Sequence, residues 1–507
     1  MQAVMQTKAG SYGPIPQEVW NTSETLKKAG FEAYLIGGCV RDLLLSIKPK
    51  DWDITTNATP EQIIAAFPET FYENVYGTVG VVTGNTLDET LKVIEVTPYR
   101  LEAGYSDNRR PDHVVFSDKL SDDVHRRDFT INAIALNVTE RNRDGSAIGV
   151  IEDFCQGQRD LKGKVLRTVG DAHERFREDG LRILRAVRIA NTLGFDIDAK
   201  TEIALREEAH LLKNISHERI RDEFTKIIMS DEPMNGLKLC NKFGLLKYII
   251  PELEKTISIE QGGAHIYDVW EHTLRTLQHS ADQKWNTELR LAALLHDIGK
   301  PNARRKGGPG EKEWTFYGHE VVGARMAEKI LTELRYPKAV IEKVTKLVRM
   351  HMFFSDTSVV TLSAVRRVIA KIGKDNIWDL MNLRACDRIG TGRPKADPYR
   401  LRKYHAMIDE ALKDPISVGM LKIDGGKIMR ETKETPGPKV GYTLHALLEE
   451  VLEDPKKNNE EYLLQRAKIL MKMPEPELKA MGEEGKKKKE MENEEQVREI
   501  RKSHRVA

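Results

Sequence analysis

Val19, Leu26 and Ala29 are separated by charged and polar positions, which predicts an amphipathic helix between Pro14 and Gly30. It leads into an apolar strand, Tyr34-Leu-Ile, that ends on Gly37-Gly38 and is followed by a short apolar helix at Leu43-Leu44-Leu45. In Asp51-Trp52-Asp53-Ile54 acidic and apolar residues alternate, so a strand there projects both carboxylates from one face. Thr59-Pro60-Glu61-Gln62 joins an N-cap, a proline at the first helical position and a capping-box residue, predicting a helix to about Phe67. Strands are expected at 79–83 and 92–97, with Glu95 opposite in phase to Ile94 and Val96. A helix over Arg126-Arg127-Asp128-Phe-Thr-Ile-Asn132 would set Asp128 and Asn132 on one face and pack Ile131, Ile134 and Ala135 inward. Leu181, Leu184, Val187 and Ile189 form another buried stripe, leaving Asp179, Arg182 and Arg185 at three-residue steps on a second face.

Several of these segments carry chemistry. Glycines without a Cβ let backbone N–H groups approach a triphosphate, and the helix after Gly38 points its positive end there. Paired carboxylates such as Asp51 and Asp53 suit Mg²⁺ held between protein and nucleotide phosphates. Cytosine and adenine both present an exocyclic amine beside a ring-nitrogen acceptor, whereas guanine and uracil place a carbonyl where the amine would be. Asp179 accepting from the amine and Arg182 donating to the ring nitrogen would therefore admit C and A only.

Composition narrows the setting. The chain has 507 residues, which suggests roughly three or four domains. Lys+Arg 80 against Asp+Glu 78 leaves a formal charge of +2, so a nucleic-acid site has to be a local basic patch. Cys39, Cys155, Cys240 and Cys386 lie far apart, with no metal-knuckle spacing and no disulfide framework, which fits a reducing cytoplasm. The N-terminus lacks a basic segment leading into an apolar run, and no apolar stretch reaches the ~18 residues a membrane span needs. No membrane partner is expected.

The order strand, Gly-Gly, helix, Asp-x-Asp resembles the palm of the nucleotidyltransferase superfamily that includes DNA polymerase β. The form Gly37-Gly38-Cys-Val-Arg41-Asp42 is similar to the second class of CCA-adding enzymes and bacterial poly(A) polymerases. The resemblance implies that Asp51 and Asp53 hold catalytic Mg²⁺, with Glu95 a candidate third carboxylate; a charged residue on the wet face of a sheet is the other reading of Glu95. It also implies that Gly37, Gly38 and Arg41 position the triphosphate. Arg126-Arg127-Asp128 through Asn132 resembles the motif that grips ribose and triphosphate, with Asp128 on the ribose 2′-OH and Arg126 or Arg127 on phosphate. Glu178-Asp179-Gly-Leu-Arg182-Ile-Leu-Arg185-Ala-Val-Arg188 resembles the base-reading motif. Asp153 to Asp160 resembles the flexible connection from head to neck, although the family's usual second glycine is absent near Gln156. Ser216 to Phe224, with Glu218, Arg219, Arg221 and Glu223, resembles the motif that braces the base-reading helix. Arg100, Arg109, Arg110 and Pro111 fall in a polar loop of the kind that orders over substrate.

After Pro251 the pattern breaks at Gly262-Gly263 and a second constellation begins. His272, His296-Asp297, His319, His351 and Asp387 are imidazoles and carboxylates that separate helices can bring onto one or two divalent metals. The set resembles the HD phosphohydrolase domain fused to some bacterial CCA enzymes. That likeness gives His272, His296, Asp297 and Asp387 as minimal ligands of a divalent transition metal, with His319 and His351 suited to a second. Gly425-Gly426 and Pro436-Gly437-Pro438, then a helix over 443–453, resemble the tail that holds the tRNA elbow. Lys486 to Lys489 belong to a charged segment too poor in apolar residues to offset its ordering entropy.

The expectation is an α+β protein: a polymerase-β-like palm of mixed β-sheet with helices, followed by all-α neck, HD and tail domains. The boundaries are 1–150 (head), 151–255 (neck, base selection and RNA binding), 256–400 (HD), 401–480 (tail, tRNA binding) and 481–507 (charged tail). The implied activity is template-independent transfer of CMP and AMP from CTP and ATP to tRNA 3′ ends, in the cytoplasm. Poly(A) polymerase, a CC- or A-adding enzyme, and an HD metal phosphohydrolase with a vestigial palm stay open.

Overall fold

The computed structural model describes residues 9–72, 77–103, 113–262, 266–307, 313–353, 360–479 and 481. Arg109, Arg110, Pro111, Gly263 and Lys486 to Lys489 lie outside the described residues. The chain divides into two compact units, residues 1–250 and 251–507.

The first unit is built on one sheet. Its strands are β1 (Gly10–Tyr12), β2 (Tyr34–Ile36), β3 (Asp53–Thr56), β4 (Thr70–Tyr72), β5 (Val79–Val82) and β6 (Val93–Pro98); β7 (Arg100–Ala103) and β8 (His113–Phe116) form a separate hairpin, and β9 (Ala135–Arg141) and β10 (Ala147–Glu152) return to the sheet. The spatial order is β1-β10-β9-β2-β3-β6-β5-β4. All neighbours are antiparallel except β3 and β6, whose parallel register sets Asp53 opposite Glu95 and Ile54 opposite Val96. Ile54, Ile94 and Val96 are fully buried, so the alternation that puts them in the core turns Asp53 and Glu95 to the other face.

Helices α1 (Gln17–Lys28), α2 (Gly38–Leu44) and α3 (Pro60–Ala66) follow the predicted pattern, and α3 starts with a complete Thr59–Gln62 capping box. The strand carrying the acids starts at Asp53, and Asp51 is an exposed bend residue before it. Helix α4 (Leu120–His125) precedes the Arg126-Arg127 segment. Asp128 to Asn132 is not an α-helix: Thr130–Asn132 is a single 3₁₀ turn. The cause is tertiary, because Thr130 N–H donates to Arg167 O at 2.9 Å and Val169 N–H to Asp128 O at 3.1 Å, tying the segment to a strand-like neighbour.

The rest of the first unit is mainly helical, with α5 (Gly157–Gly163), α6 (Ala172–Glu178), α7 (Leu181–Leu193), α8 (Ala199–Glu207) and α9 (His217–Ile228). It also holds one short parallel strand pair, Val165–Leu166 with Asp196–Ile197. Leu181, Leu184, Val187 and Ile189 are buried as expected. Each such side chain contributes about 1.5–3 kcal/mol.

In the second unit, helices Val269–Asp282, Thr287–Leu295, His319–Glu333, Lys338–Met350 and Ile377–Gly390 surround one polar cluster. Helices Tyr399–Ala411, Gly425–Thr432, Pro438–Glu453 and Glu460–Leu470 follow. No helix among the described residues is long and apolar enough to cross a membrane.

Candidate functional site

Gly37 ends β2 with φ +86°, a conformation that L side chains resist. A Cβ there would lie 3.0 Å from Asp53 Oδ2 and 3.3 Å from Arg127 Nη1, so this position also needs an absent side chain to let the acid and the guanidinium approach. Burial raises the Asp53 carboxyl above its ordinary pKa, and Asp51 adds to this while Arg127 and Arg185 oppose it. A partly buried acid beside a second acid, with Glu95 in register on the next strand, is a donor set short of positive charge. Such a set fits a hard divalent cation.

A chain of contacts runs from this corner. Arg41 donates from Nη1 to Asn132 Oδ1 at 2.9 Å, and Asn132 donates from Nδ2 to Asp128 Oδ1 at 3.2 Å. Asp128 and Asn132, expected to share one face of a helix, are instead brought into contact without that helix. Asp128 Oδ2 takes a fork from Arg185, Nε at 2.9 Å and Nη2 at 2.6 Å. Burial works against the charged Asp128, but Arg185, Arg182 and Asn132 prevail and bring its pKa down to about 2.

The segment 178–188 departs from expectation. Asp179 is not on the face of α7: it sits in the break after α6, with φ −145° and ψ 105°. Arg219 of α9 clamps its carboxylate, Nη2 to Oδ2 at 2.8 Å and Nη1 to Oδ1 at 3.2 Å, and Asp179 Oδ1 caps Leu181 N–H at 3.1 Å. Arg182 donates to the Arg175 carbonyl at 3.1 Å, to the Arg126 carbonyl at 3.2 Å and to Glu178. Arg188 pairs with Glu223, a buried acid on α9. So Arg182, Arg185 and Arg188 turn to three different partners, and the motif at 216–224 supplies two of the holding groups.

One residue of this site escaped the sequence reading. Asp123 is fully buried and accepts from Arg126 Nε at 2.8 Å and from Arg127 Nη2 at 3.1 Å. Its spacing of three and four residues from those arginines was the available signal.

In the second unit the six expected residues do converge. Asp297 Oδ2 lies 3.0 Å from His272 Nε2 and 3.1 Å from His296 Nε2, while Oδ1 lies 3.2 Å from His319 Nε2 and 3.7 Å from His351 Nε2. Asp387 Oδ1 is 3.5 Å from His272 Nε2. Two three-residue groups that could hold a metal thus share one carboxylate. Gly299 makes the crossing close enough, since a Cβ there would fall 2.3 Å from the His319 carbonyl oxygen. His296, His319 and His351 each hold a backbone carbonyl through Nδ1, at 2.9, 2.8 and 2.7 Å. A carbonyl only accepts, so Nδ1 carries the proton and Nε2 of the neutral ring keeps a lone pair. Those lone pairs face each other, His319 to His351 at 3.2 Å, an arrangement suited to a cation between them.

Lys300, also missed in the sequence, donates to Asp297 Oδ2 and Gln261 Oε1, both at 2.5 Å. Burial opposes charge on Asp297, but the Lys300 ammonium beside it helps hold its pKa well below the usual carboxylate range. Burial likewise opposes charge on Asp387, and Arg384, donating at 2.8 Å, overrides it.

A mixed sheet with acids in register beside a Gly-Gly turn, followed by a helical neck, defines a nucleotidyltransferase palm; the histidine–aspartate cluster defines an HD-type centre. Comparison with known proteins agrees. Residues 33–167 match the family described as Poly A polymerase head domain, 194–257 the Probable RNA and SrmB- binding site of polymerase A, and 269–392 the HD domain. A CC-adding tRNA nucleotidyltransferase of Thermus thermophilus is 34% identical over 82% of this chain and 89% of its own. The chain belongs to the tRNA nucleotidyltransferase and poly(A) polymerase family. A CCA-adding enzyme of Lactococcus lactis subsp. lactis is 46% identical over 47% of this chain; the match spans 58% of that relative's length. The crystal structure of the Bacillus stearothermophilus CCA-adding enzyme in complex with CTP superposes with TM-score 0.65 and 27% identity, covering 89% of this chain and 98% of that one.

Proposed function

We propose that the protein is a template-independent CCA-adding tRNA nucleotidyltransferase, using CTP and ATP in the cytoplasm. What carries this reading is a set of contacts around one corner: Asp53 Oδ2 and Arg127 Nη1 both lie against the place a Gly37 Cβ would take, Arg41 reaches Asn132 and through it Asp128, and Asp128 is forked by Arg185 of the base-reading helix. Groups suited to a metal, a triphosphate and a ribose are thereby linked to the helix that follows Asp179. Two relatives that each match 82% of this chain are named for CC addition and for A addition, which favours partial addition as the second reading.

In the reaction the tRNA 3′ oxygen bonds to the α-phosphorus of CTP or ATP, and the bond to pyrophosphate breaks. Asp51 and Asp53, with Glu95 beside them, would hold Mg²⁺, which supplies activation of the hydroxyl and neutralisation of the developing charge. Arg41, Arg126 and Arg127 orient phosphates, and Asp128 receives the ribose 2′-OH. Asp179 and Arg182 select the base. Arg182 must exchange its Glu178 or backbone contacts for the ring nitrogen, so base selection starts from a pre-shaped, occupied site. His272, His296, Asp297, Asp387, His319 and His351 would hold one or two divalent transition metals that supply a hydrolytic activity separate from addition. The same reading assigns 1–150 to the head, 151–255 to the neck, 256–400 to the HD domain and 401–480 to a tRNA-binding tail.

The test is incubation with tRNA lacking its 3′ end and CTP alone, ATP alone or both. Full CCA requires two C additions with CTP and one A only when both are present. Long adenosine tracts overturn the reading, and two cytidines without adenosine replace it with CC addition.

A further inference from the structure

We infer that Asp123 is a positioning residue of the nucleotide site, one buried carboxylate that fastens the strand of Asp53, the arginine beside Asp53 and the anchor of Arg182 into a single arrangement. The inference rests on the nucleotidyltransferase reading above and adds to it the group that holds the phosphate and base ends together.

A carboxylate with no exposed surface costs several kcal/mol to bury unless its oxygens are fully used. Those of Asp123 are used in three directions. Oδ1 accepts from Arg126 through Nε at 2.8 Å and also through Nη2. Oδ2 accepts from Arg127 through Nη2 at 3.1 Å and Nε at 3.3 Å. The Thr55 hydroxyl lies 3.2 Å from the same Oδ2 and 3.1 Å from the Thr97 carbonyl, so Asp123 is tied to β3 two residues along from Asp53, on the same face.

Each link leads to a different part of the site. The Arg127 fork spends Nε and Nη2 on Asp123, which leaves Nη1 facing Gly37, 3.3 Å from where a Cβ would sit, with Asp53 Oδ2 3.0 Å from the same point. The Arg126 side chain is fixed by the other carboxylate oxygen, and its backbone carbonyl receives Arg182 Nη2 at 3.2 Å. Two guanidiniums next to each other repel, and the acid between them sets their direction. Asp123 therefore does not touch the nucleotide; it aims the groups that do.

The full chain carries the test, with Asp123→Asn, which keeps shape and removes charge, and Thr55→Val, which removes only the hydroxyl. KM and kcat for CTP and ATP, the preference for CTP over UTP, CTP affinity by calorimetry and melting temperature are measured for each. Asp123→Asn is expected to raise KM for both nucleotides about 10-fold and to lower the CTP-over-UTP preference by about the same factor, the scale of losing charge-assisted hydrogen bonds. Thr55→Val shifts both in the same direction by about 2-fold. A folded Asp123→Asn with wild-type KM and preference overturns the inference, as does a fall in kcat alone, the mark of a smaller folded fraction. If the asparagine variant does not fold, Thr55→Val decides, and wild-type values there overturn it. Failure of the wild type to extend tRNA refutes the proposed function instead, and calorimetry with CTP then still tests Asp123.

Discussion

In the palm, Asp123, Asp128 and Asp179 each already hold a guanidinium, from Arg126 and Arg127, from Arg185 and from Arg219. In the HD-type centre the four imidazoles instead face one another across a shared carboxylate, three of them pinned from behind by backbone carbonyls. The difference separates two ways of preparing for charge. A site that receives a triphosphate keeps its cations in place and its acids paired, because the ligand brings the negative charge and its own metal. A site that keeps a metal resident arranges lone pairs first and is electrostatically incomplete until the ion arrives. Asp53 is the palm residue that behaves like the second kind, since burial raises its pKa, whereas at Asp128 the Arg185 fork overcomes burial and leaves the pKa lowered.

That contrast breaks first at Asp53. Asp53→Ala is expected to lower nucleotide addition by about 10³-fold, the scale of removing a group that stabilises transition-state charge. Filter binding should show tRNA affinity unchanged. Loss of tRNA binding in step with activity would mean that Asp53 supports the fold and that the metal role belongs elsewhere.

Much of this was legible in the sequence for a local reason. Gly37, Asp53 and the α3 capping box announce themselves through backbone chemistry and period-two alternation, and the spread histidines through residue type. What escaped depends on contacts between distant segments. The helical period runs on through 179, yet the chain breaks there because Arg219, 40 residues away, holds the Asp179 carboxylate. Asp128 and Asn132 meet across a 3₁₀ turn because residues 167 and 169 claim the backbone. Asp123 and Lys300 were missed although both stand at helical spacing from the residues they contact, since a single acid or lysine near a motif has no pattern of its own.

The HD-type centre sharpens the comparison at intermediate size. Chelation followed by stepwise Mn²⁺ or Zn²⁺ should raise the melting temperature of the full chain. The gain is about 2.7 kcal/mol when free ion is about a hundred times Kd. Replacing both His296 and Asp297 with Ala should remove that gain and any phosphodiesterase activity while sparing nucleotide addition in Mg²⁺. Addition lost together with the metal response would join the two sites that the comparison keeps apart.

The smallest expected effect lies in the pH dependence of palm stability. Asp128 has a folded pKa of about 2 against an ordinary 3.8, a depression produced by Arg185 against the opposing effect of burial. A depressed acid contributes stability that is fully present above the unfolded pKa and is lost as pH falls through the folded one. Asp128→Asn removes that contribution, worth about 2 kcal/mol from the size of the shift. The variant should therefore unfold at lower urea than the wild type at pH 6, and the gap should shrink steadily between pH 4 and pH 2. Because other carboxylates titrate identically in both proteins, only the difference between the two curves reports Asp128. A gap independent of pH would show that the Asp128–Arg185 pair is held by shape and hydrogen bonding rather than by charge, and the palm would lose its place as the site whose acids are already electrically satisfied.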